Sequence, residues 1–260
     1  GDTLYAVKVQ FNEEIRSTLT WDPYQKVEWE TARLNRRLAE ARLLSEEGKL
    51  TSEMEADVAA AVKTHSDKAK SEIAAIGVDD VEGAAIATIA LDSTLSIQAG
   101  ALTAQSATGT TAIAAALTVA SQPTVFSTTT LPAYDKLMAQ VERNTTRVYE
   151  LLTHLKTEQT EANEVELADI TRRFEDIERA VSEAIVLRTE DEFTARTILV
   201  DVLQRTQRLT VFMTDIAVRQ SFTVEEVVPV VLTKAEQTSR VNELGNEIDV
   251  AVARITAATE

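Results

Sequence analysis

The 260-residue chain contains no cysteine, which excludes disulfide bonds and thiolate chemistry and leaves its redox compartment unspecified. Aromatic residues make up only 5% of the sequence, and there are only seven glycines and four prolines. Residues that favour strands and tight turns are therefore scarce, whereas alanine, leucine, glutamate, arginine and valine are frequent. This composition favours helices over sheets and predicts an all-α protein.

Histidine is nearly absent, with only His65 and His154. A metal site needs further ligands at set spacings, and neither histidine has them, so we expect both at the edge of a core. A Ser/His/Asp triad is equally disfavoured, and there is no phosphate-binding loop, dinucleotide fingerprint or Gly-x-Ser-x-Gly motif. We therefore predict no catalytic, cofactor-binding or metal-binding residues, no cofactor, and a protein that is not an enzyme.

Basic residues are too few to balance the acidic ones, at 26 against 42, which gives a net charge of −16. Both ends of the chain are acidic, so nucleic acid and anionic membrane surfaces are poor partners. We recognise no long apolar span, and residues 101–120 hold too many threonines, serines and glutamines for a membrane helix. We therefore expect no direct insertion into a membrane.

Charge is missing most conspicuously from Gly83–Tyr134, where Asp92 is the single charged residue among 52. Such a segment needs cover from its own chain, from another copy or from a membrane. It separates the chain into residues 1–82, an N-terminal helical hairpin region, 83–130, rich in alanine, threonine and serine, and 131–260, a C-terminal helical bundle. Within it, residues 110–120 read as an alanine-rich helix and 124–130 as β-prone.

Capping residues divide the two charged arms into helices. An N-cap side chain satisfies the free amides of a helix start, and glycine in the left-handed conformation ends a helix. Helix starts are predicted at Asp22–Pro23 and Asp79–Asp80, and at capping boxes in Ser52–Glu55, Thr189–Glu192 and Thr233–Glu236. Helix ends are predicted at Glu46–Gly48 and at Gly77. A connector without helical pattern is predicted at Phe222–Leu232.

Apolar residues recur every three or four positions along these helices, which is typical of long packed helices. The pattern predicts an elongated antiparallel bundle, or two such bundles. The predicted buried stripes are Val27, Leu34, Leu38, Ala41 and Leu44; Val58, Val62, His65, Ala69, Ile73 and Ile76; Tyr134, Leu137, Val141, Val148, Leu152 and Leu155; Val165, Ile170, Phe174, Ile177, Val181 and Ile185; and Ala195, Leu199, Val202, Thr206, Leu209, Met213 and Ile216.

The first 76 residues carry a recognisable pattern. They open with GD-x-LY-x-VK at Gly1–Lys8 and continue through an acidic helix to ARLNRRLAEARLLSEEGKLT at residues 32–51. This resembles a bacterial family of unknown function in which the motif follows a signal or membrane anchor, although the family usually has proline where this chain has Ala6. The resemblance implies an extracytoplasmic helical domain whose leader or anchor has been removed, and it implies no activity.

Two surface motifs carry weaker functional hypotheses. The acidic clusters at Glu46–Glu47, Asp79–Glu82 and Glu190–Glu192 provide oxygen ligands for calcium, but their places at helix ends favour capping and dipole interactions instead. Asn144-Thr145-Thr146 matches the acceptor pattern for N-glycosylation.

These observations favour a structural or assembly protein at the cell surface. We expect a homo-oligomer that self-associates through residues 83–130, as in a filament or a surface layer. The alternative is a monomeric helical sensor or chaperone-like ectodomain in which the arms cover the middle and which binds a protein partner.

Overall fold

The computed structural model describes residues 23–104, 110–122, 131–157 and 159–223. Helices account for 89% of these residues, and this part of the chain contains no strand. The predicted all-α helical bundle is therefore confirmed. The seven described helices are α1 (Pro23–Glu46), α2 (Ser52–Asp79), α3 (Val81–Ala104), α4 (Thr111–Ala120), α5 (Tyr134–Thr157), α6 (Glu164–Leu187) and α7 (Glu192–Thr223).

The end of α1 follows the predicted chemistry. Gly48 has φ = +67°, the left-handed conformation that glycine adopts without a steric cost. Its N–H donates to the Ser45 carbonyl at 3.0 Å and the Lys49 N–H to the Leu44 carbonyl at 2.8 Å, which is the Schellman pattern. The predicted start at Pro23 and the predicted alanine-rich helix at 110–120 are also confirmed.

Three predicted boundaries were wrong in detail. The N-cap of α2 is Thr51, whose hydroxyl accepts from the Met54 N–H, because the helix includes Ser52 itself. The N-cap of α7 is Asp191, which accepts from the Thr194 N–H at 3.0 Å, and not Thr189. Gly77 does not end α2, which continues to Asp79 because the chain leaves helical geometry only at Asp80, at φ −140° and ψ 84°.

The described helices belong to one compact unit, Ile15–Val224, but they contain two apolar clusters. The first cluster lies among α1, α2, α3 and α4, and its largest fully buried side chains include Leu34, Leu38 and Ile73. The second lies among α5, α6 and α7, around Leu137, Leu155 and Leu199, and receives Ile86 from α3. The domain boundaries given above stay a prediction.

Helix α7 connects the two groups, because it contacts α1 and α3 as well as α5 and α6. Its predicted buried residues, from Ala195 to Ile216, are all buried. The stripe predicted for α6 was partly wrong. Val165 and Ile185 are exposed, and Leu167 and Ala184 are buried instead, since both ends of the true stripe lie one or two residues away from the predicted positions.

The first half of the low-charge segment is a core helix. Residues 84–88 of α3 are buried without interruption, and α3 contacts α1, α2, α4, α5 and α7. We recognised no long apolar span in the sequence, yet Val81–Thr103 is long and apolar enough to cross a membrane, with a mean hydropathy of 1.3. Half of that window is buried within the protein, as in the central helix of many bundles. The predicted connector at Phe222–Leu232 was wrong at its start, because α7 continues to Thr223. The rest of the connector and the predicted elements at 124–130 and 233–255 lie outside the described residues.

Candidate interaction surface

Helix α4 is fixed against α2 at both ends. At its start the Ala112 N–H donates to the Glu55 carboxylate at 2.6 Å, and just beyond its end the Lys70 ammonium donates to the Gln122 carbonyl at 3.2 Å. An acid at the start and a base at the end both complement the helix dipole. Glu55, predicted as part of a capping box for α2, therefore serves the neighbouring helix.

The outward face of α4 carries no charged side chain. Its inward residues, Ile113, Leu117 and Ala120, belong to the core of α1–α4. The exposed residues of α4 are Thr111, Ala112, Ala114, Ala115, Thr118 and Val119. This face is unusual in a chain with a net charge of −16, because the exposed faces of the described helices other than α3 and α4 carry acidic and basic residues.

Helix α3 adds a second uncharged strip in its C-terminal half, where Ser96, Gly100 and Thr103 are exposed. The two helices contact each other through the core of α1–α4. We use the term uncharged surface for the exposed residues of α4 together with Ser96, Gly100 and Thr103.

Hydroxyl groups on the uncharged surface are already partly satisfied. Thr118 donates to the Ala114 carbonyl at 2.9 Å and Thr103 to the Ala99 carbonyl at 2.8 Å, each within its own helix. A hydroxyl that already donates in this way has less need of water or of another acceptor, so the surface is less polar than its composition indicates.

The single charge of the segment, Asp92, is half-buried on α3. Burial raises the pKa of its carboxyl group, and the nearby Lys70 ammonium opposes that rise. Its Oδ1 atom is buried and has no hydrogen-bond partner among the described residues. Asp92 is therefore not among the exposed residues of the uncharged surface.

A second feature is a cleft of about 320 Å³ between α1, α6 and α7. Ion pairs line it, because Arg42 contacts Asp215, Arg173 contacts Asp169 at 2.7 Å and Arg219 contacts Glu166 at 2.8 Å. Its residues are Ala39, Arg42, Leu43, Glu46, Glu166, Asp169, Ile170, Arg173, Phe212, Asp215, Ile216 and Arg219.

Burial changes the protonation equilibrium of one carboxyl group in this cleft. Burial raises the pKa of the Asp215 carboxyl, and the adjacent Arg42 guanidinium opposes the rise. The Arg173 guanidinium also lies 5.7 Å from the centre of the Phe212 ring, a cation–π distance. The lining offers carboxylates and guanidinium groups but no histidine, serine or lysine, so it contains no Ser/His pair.

Near the start of α1, Asp80 connects three helices. It accepts from the Gly83 N–H at 2.9 Å, which confirms the predicted cap of α3, and also from the Tyr24 hydroxyl at 2.8 Å. The Lys136 ammonium of α5 donates to the same carboxylate at 2.5 Å. The hydrogen bond from Lys136, followed by that from the Gly83 amide, lowers the pKa of Asp80 to about 2.

The structure also places the two histidines, the glycosylation pattern and the acidic clusters that the sequence singled out. His65 is buried with its Nδ1 atom 2.6 Å from Oε2 of Glu30, whereas His154 is exposed. Asn144 is buried, and its side-chain oxygen accepts a hydrogen bond from Gln140. The asparagine of the glycosylation pattern is therefore inaccessible in the folded chain. The acidic clusters form no metal site, since the described residues contain no group of three or more candidate ligands.

Sequence reasoning missed the residues that hold the uncharged surface in place. Glu55 and Lys70 belong to α2, and nothing in their local sequence shows that they reach α4. The absence of charge over residues 83–134 was the one signal that pointed to the surface itself.

Comparison with known proteins gives one match. Residues 1–122 match the model of a domain of unknown function, DUF5667. No curated protein and no solved structure matches the chain. The matched region ends two residues after α4, so it includes all of α1–α4 and the uncharged surface. Over its first 122 residues the chain is therefore similar to a domain family of unknown function.

Proposed function

We propose that the chain is a non-enzymatic structural or assembly protein of the cell surface that self-associates through the uncharged surface. The observation that carries the proposal is the face of α4, where six exposed residues include no charge in a protein of net charge −16. Copies that approach through their acidic faces repel one another, whereas this surface permits contact without that cost.

The chemistry of the side chains supports close contact between copies. Alanine loses no rotamer freedom when it is buried, and small residues let helix backbones approach closely. Val119, with 59% of its surface exposed, supplies the largest apolar contact on α4. Compared with the expectation from the sequence, the contact region is narrower, because the first half of α3 is already buried by the chain itself.

The proposed extracytoplasmic location rests on the resemblance of Gly1–Lys8 and residues 32–51 to a family in which this motif follows a signal or anchor. A fractionation experiment on the native host, with the whole gene product, tests it. Recovery in the cytoplasm would contradict the proposed location and leave the self-association proposal standing.

The test of self-association compares two exposed valines. Val119→Lys places a positive charge on the uncharged surface, and Val165→Lys makes the same change on α6, where the valine is 80% exposed. Size-exclusion chromatography with light scattering should give the wild-type chain a mass above its 28.5 kDa monomer at high concentration. We expect Val119→Lys to restore the monomer and Val165→Lys to match the wild type.

Point substitutions are preferable to deleting residues 100–130. That deletion removes Leu102, Ile113 and Leu117, which belong to the core of α1–α4, so it would unfold what it is meant to test. Negative-stain microscopy of the associated fraction then separates a filament from a closed oligomer.

A second candidate function, a monomeric sensor or chaperone-like ectodomain that binds a protein partner, is favoured by the burial of α3 within its own chain. It predicts a monomer of 28.5 kDa at every concentration, for the wild type and both variants. That result would overturn self-association and favour this alternative.

A further inference from the structure

The two apolar clusters barely mix. In the described helices, Ile86 is the one residue of α1–α4 that joins the core of α5–α7, and no residue of α5–α7 joins the core of α1–α4. Apart from Ile86, and side chains such as Ala39 that are buried but belong to neither core, each group of helices buries its own set of apolar side chains. Burial of this kind provides most of the free energy of folding.

Polar side chains connect the two groups. Arg42 of α1 donates to Asp215 of α7, and the Thr94 hydroxyl of α3 donates to Gln207 of α7 at 3.4 Å. Arg42 also donates to Gln98, whose amide donates to Asn35 at 2.8 Å. We call these six residues the polar interface.

The bonds at the rim of this contact are polar too. The Glu28 carboxylate of α1 accepts from the Gln140 amide at 3.2 Å and lies 3.5 Å from Arg147, both on α5. Lys136 of α5 reaches Asp80 and Glu82 at the start of α3. Around the periphery, then, the two groups are joined by side chains that water can also satisfy.

The free energy needed to separate such a polar interface is lower than the free energy needed to expose an apolar core to water. Polar groups that lose their protein partners regain hydrogen bonds from water, so the net contribution of each such bond to stability is small. Contacts between domains of one chain are likewise more polar than obligate interfaces, and relative motion is the usual result. The match to the DUF5667 domain supports the same division, because it ends just after α4.

We propose that α5–α7 is a reversibly docked module, which separates from α1 and α3 at the polar interface while the core of α1–α4 stays intact and the core of α5–α7 loses only Ile86. The docking surface consists of the faces of α1 and α3 that carry Asn35, Arg42, Thr94 and Gln98, and its occupant is α7 of the same chain. Opening exposes this surface without unfolding either group. The proposal does not depend on self-association.

The absence of cysteine allows a direct test, because every introduced thiol is unique. Thr94→Cys and Ala39→Cys place thiols at the contact between the groups, on α3 and α1, since Ala39 lines the cleft with α6 and α7 and belongs to neither core. Ala69→Cys and Ala195→Cys place matched thiols inside the first and second cores. All four positions are buried.

The measurement is the rate of labelling by N-ethylmaleimide in native buffer. We expect both interface thiols to react at least tenfold faster than both core thiols, with far-UV circular dichroism unchanged after labelling. Equal rates at the four positions would show that the chain opens only by global unfolding and would overturn the proposal. Loss of helix on labelling at the interface would overturn it too.

A substitution at the interface sharpens the test. Asp215→Asn keeps the shape of the side chain and removes the charge that pairs with Arg42. We expect labelling at Thr94→Cys and Ala39→Cys to accelerate about tenfold, since the substitution replaces a hydrogen bond between two charged groups by a weaker one. The core thiols should keep their rates, and a parallel acceleration at Ala69→Cys and Ala195→Cys would count against a separable interface.

If a cysteine variant fails to fold, native-state hydrogen exchange on the unmodified chain answers the same question. A reversibly docked module predicts that amides buried under α7 on α1 and α3 exchange with a lower opening free energy than amides in the centres of the two cores. A single opening free energy for all slow amides, with one denaturant dependence, would contradict the proposal.

Discussion

Alanines recur through the core of α1–α4, whereas the core of α5–α7 is built mainly from leucine, isoleucine and valine. The first core also lies beside buried polar residues such as Glu30, His65 and Gln98. Small side chains bring helices close together but bury less apolar area per residue. The first core therefore depends more on individual close contacts and hydrogen bonds, and the second on the total apolar area it buries.

The largest expected effect comes from truncating one leucine in each core. Leu38→Ala and Leu199→Ala both remove a fully buried side chain and leave a cavity, so each should lower the free energy of unfolding by about 2–5 kcal/mol. Urea denaturation followed by circular dichroism measures the loss. A loss below about 1 kcal/mol at Leu38, with the full loss at Leu199, would show that the alanine-rich core closes around the cavity.

The buried pair in the first core should have the next largest effect. His65→Leu removes the ring nitrogen 2.6 Å from Glu30 and leaves a buried carboxyl group without that partner. An unsatisfied buried polar group costs about 1–3 kcal/mol, measured by the same denaturation. The double variant Glu30→Leu/His65→Leu should recover part of the loss, and no recovery would show that the single variant acts through packing instead.

Gly83 tests the close approach of α1 to α3. A Cβ atom there would overlap the Tyr24 hydroxyl and lie 2.6 Å from Oδ2 of Asp80, so Gly83→Ala should destabilise the fold by about 1–3 kcal/mol. Gly100→Ala is the matched control in the same helix, because its Cβ meets nothing within 4 Å. Helix propensity predicts a gain of about 0.5–1 kcal/mol for the control. Equal effects at the two positions would contradict the close approach.

The contrast between the cores also explains how far the sequence predicts the structure. In α5 and α7 large apolar residues alternate with charged ones, so periodicity identified the buried residues from Tyr134 to Leu155 and from Ala195 to Ile216. Nearly all residues of α3 are apolar or small, so no periodicity marks its buried face. Contacts with five other helices decide that face, and local sequence does not contain them.

The candidate functional residues also divide into those that local sequence predicts and those that only the packing of helices brings together. Gly48 and Asp80 were predictable, because capping is local chemistry read from neighbouring residues. Arg42 and Asp215 were not, since they are 173 positions apart and meet only after α1 packs on α7. The uncharged surface was predictable as a stretch of sequence, but which described residues of that stretch are exposed depends on the packing of α3 and α4.

The smallest expected effect concerns pH. The pKa of Asp80 is about 2 in the folded protein, below its ordinary value of 3.8. Its contribution to stability is therefore present above pH 3.8 and is lost as the pH falls towards 2. The Asp80 side chain is 32% exposed and partly screened by solvent, so we expect less than about 1 kcal/mol. The stability difference between the wild type and Asp80→Asn should shrink between pH 5 and pH 2, and a constant difference would contradict this assignment.

The most direct test of self-association through the uncharged surface uses two thiols and a concentration series. Ala115→Cys lies on α4 and Val165→Cys on α6, and both positions are exposed. We predict that labelling at Ala115→Cys by N-ethylmaleimide slows progressively as the protein is concentrated, while the rate at Val165→Cys stays constant. A rate at Ala115→Cys that does not change with concentration would contradict the proposed contact.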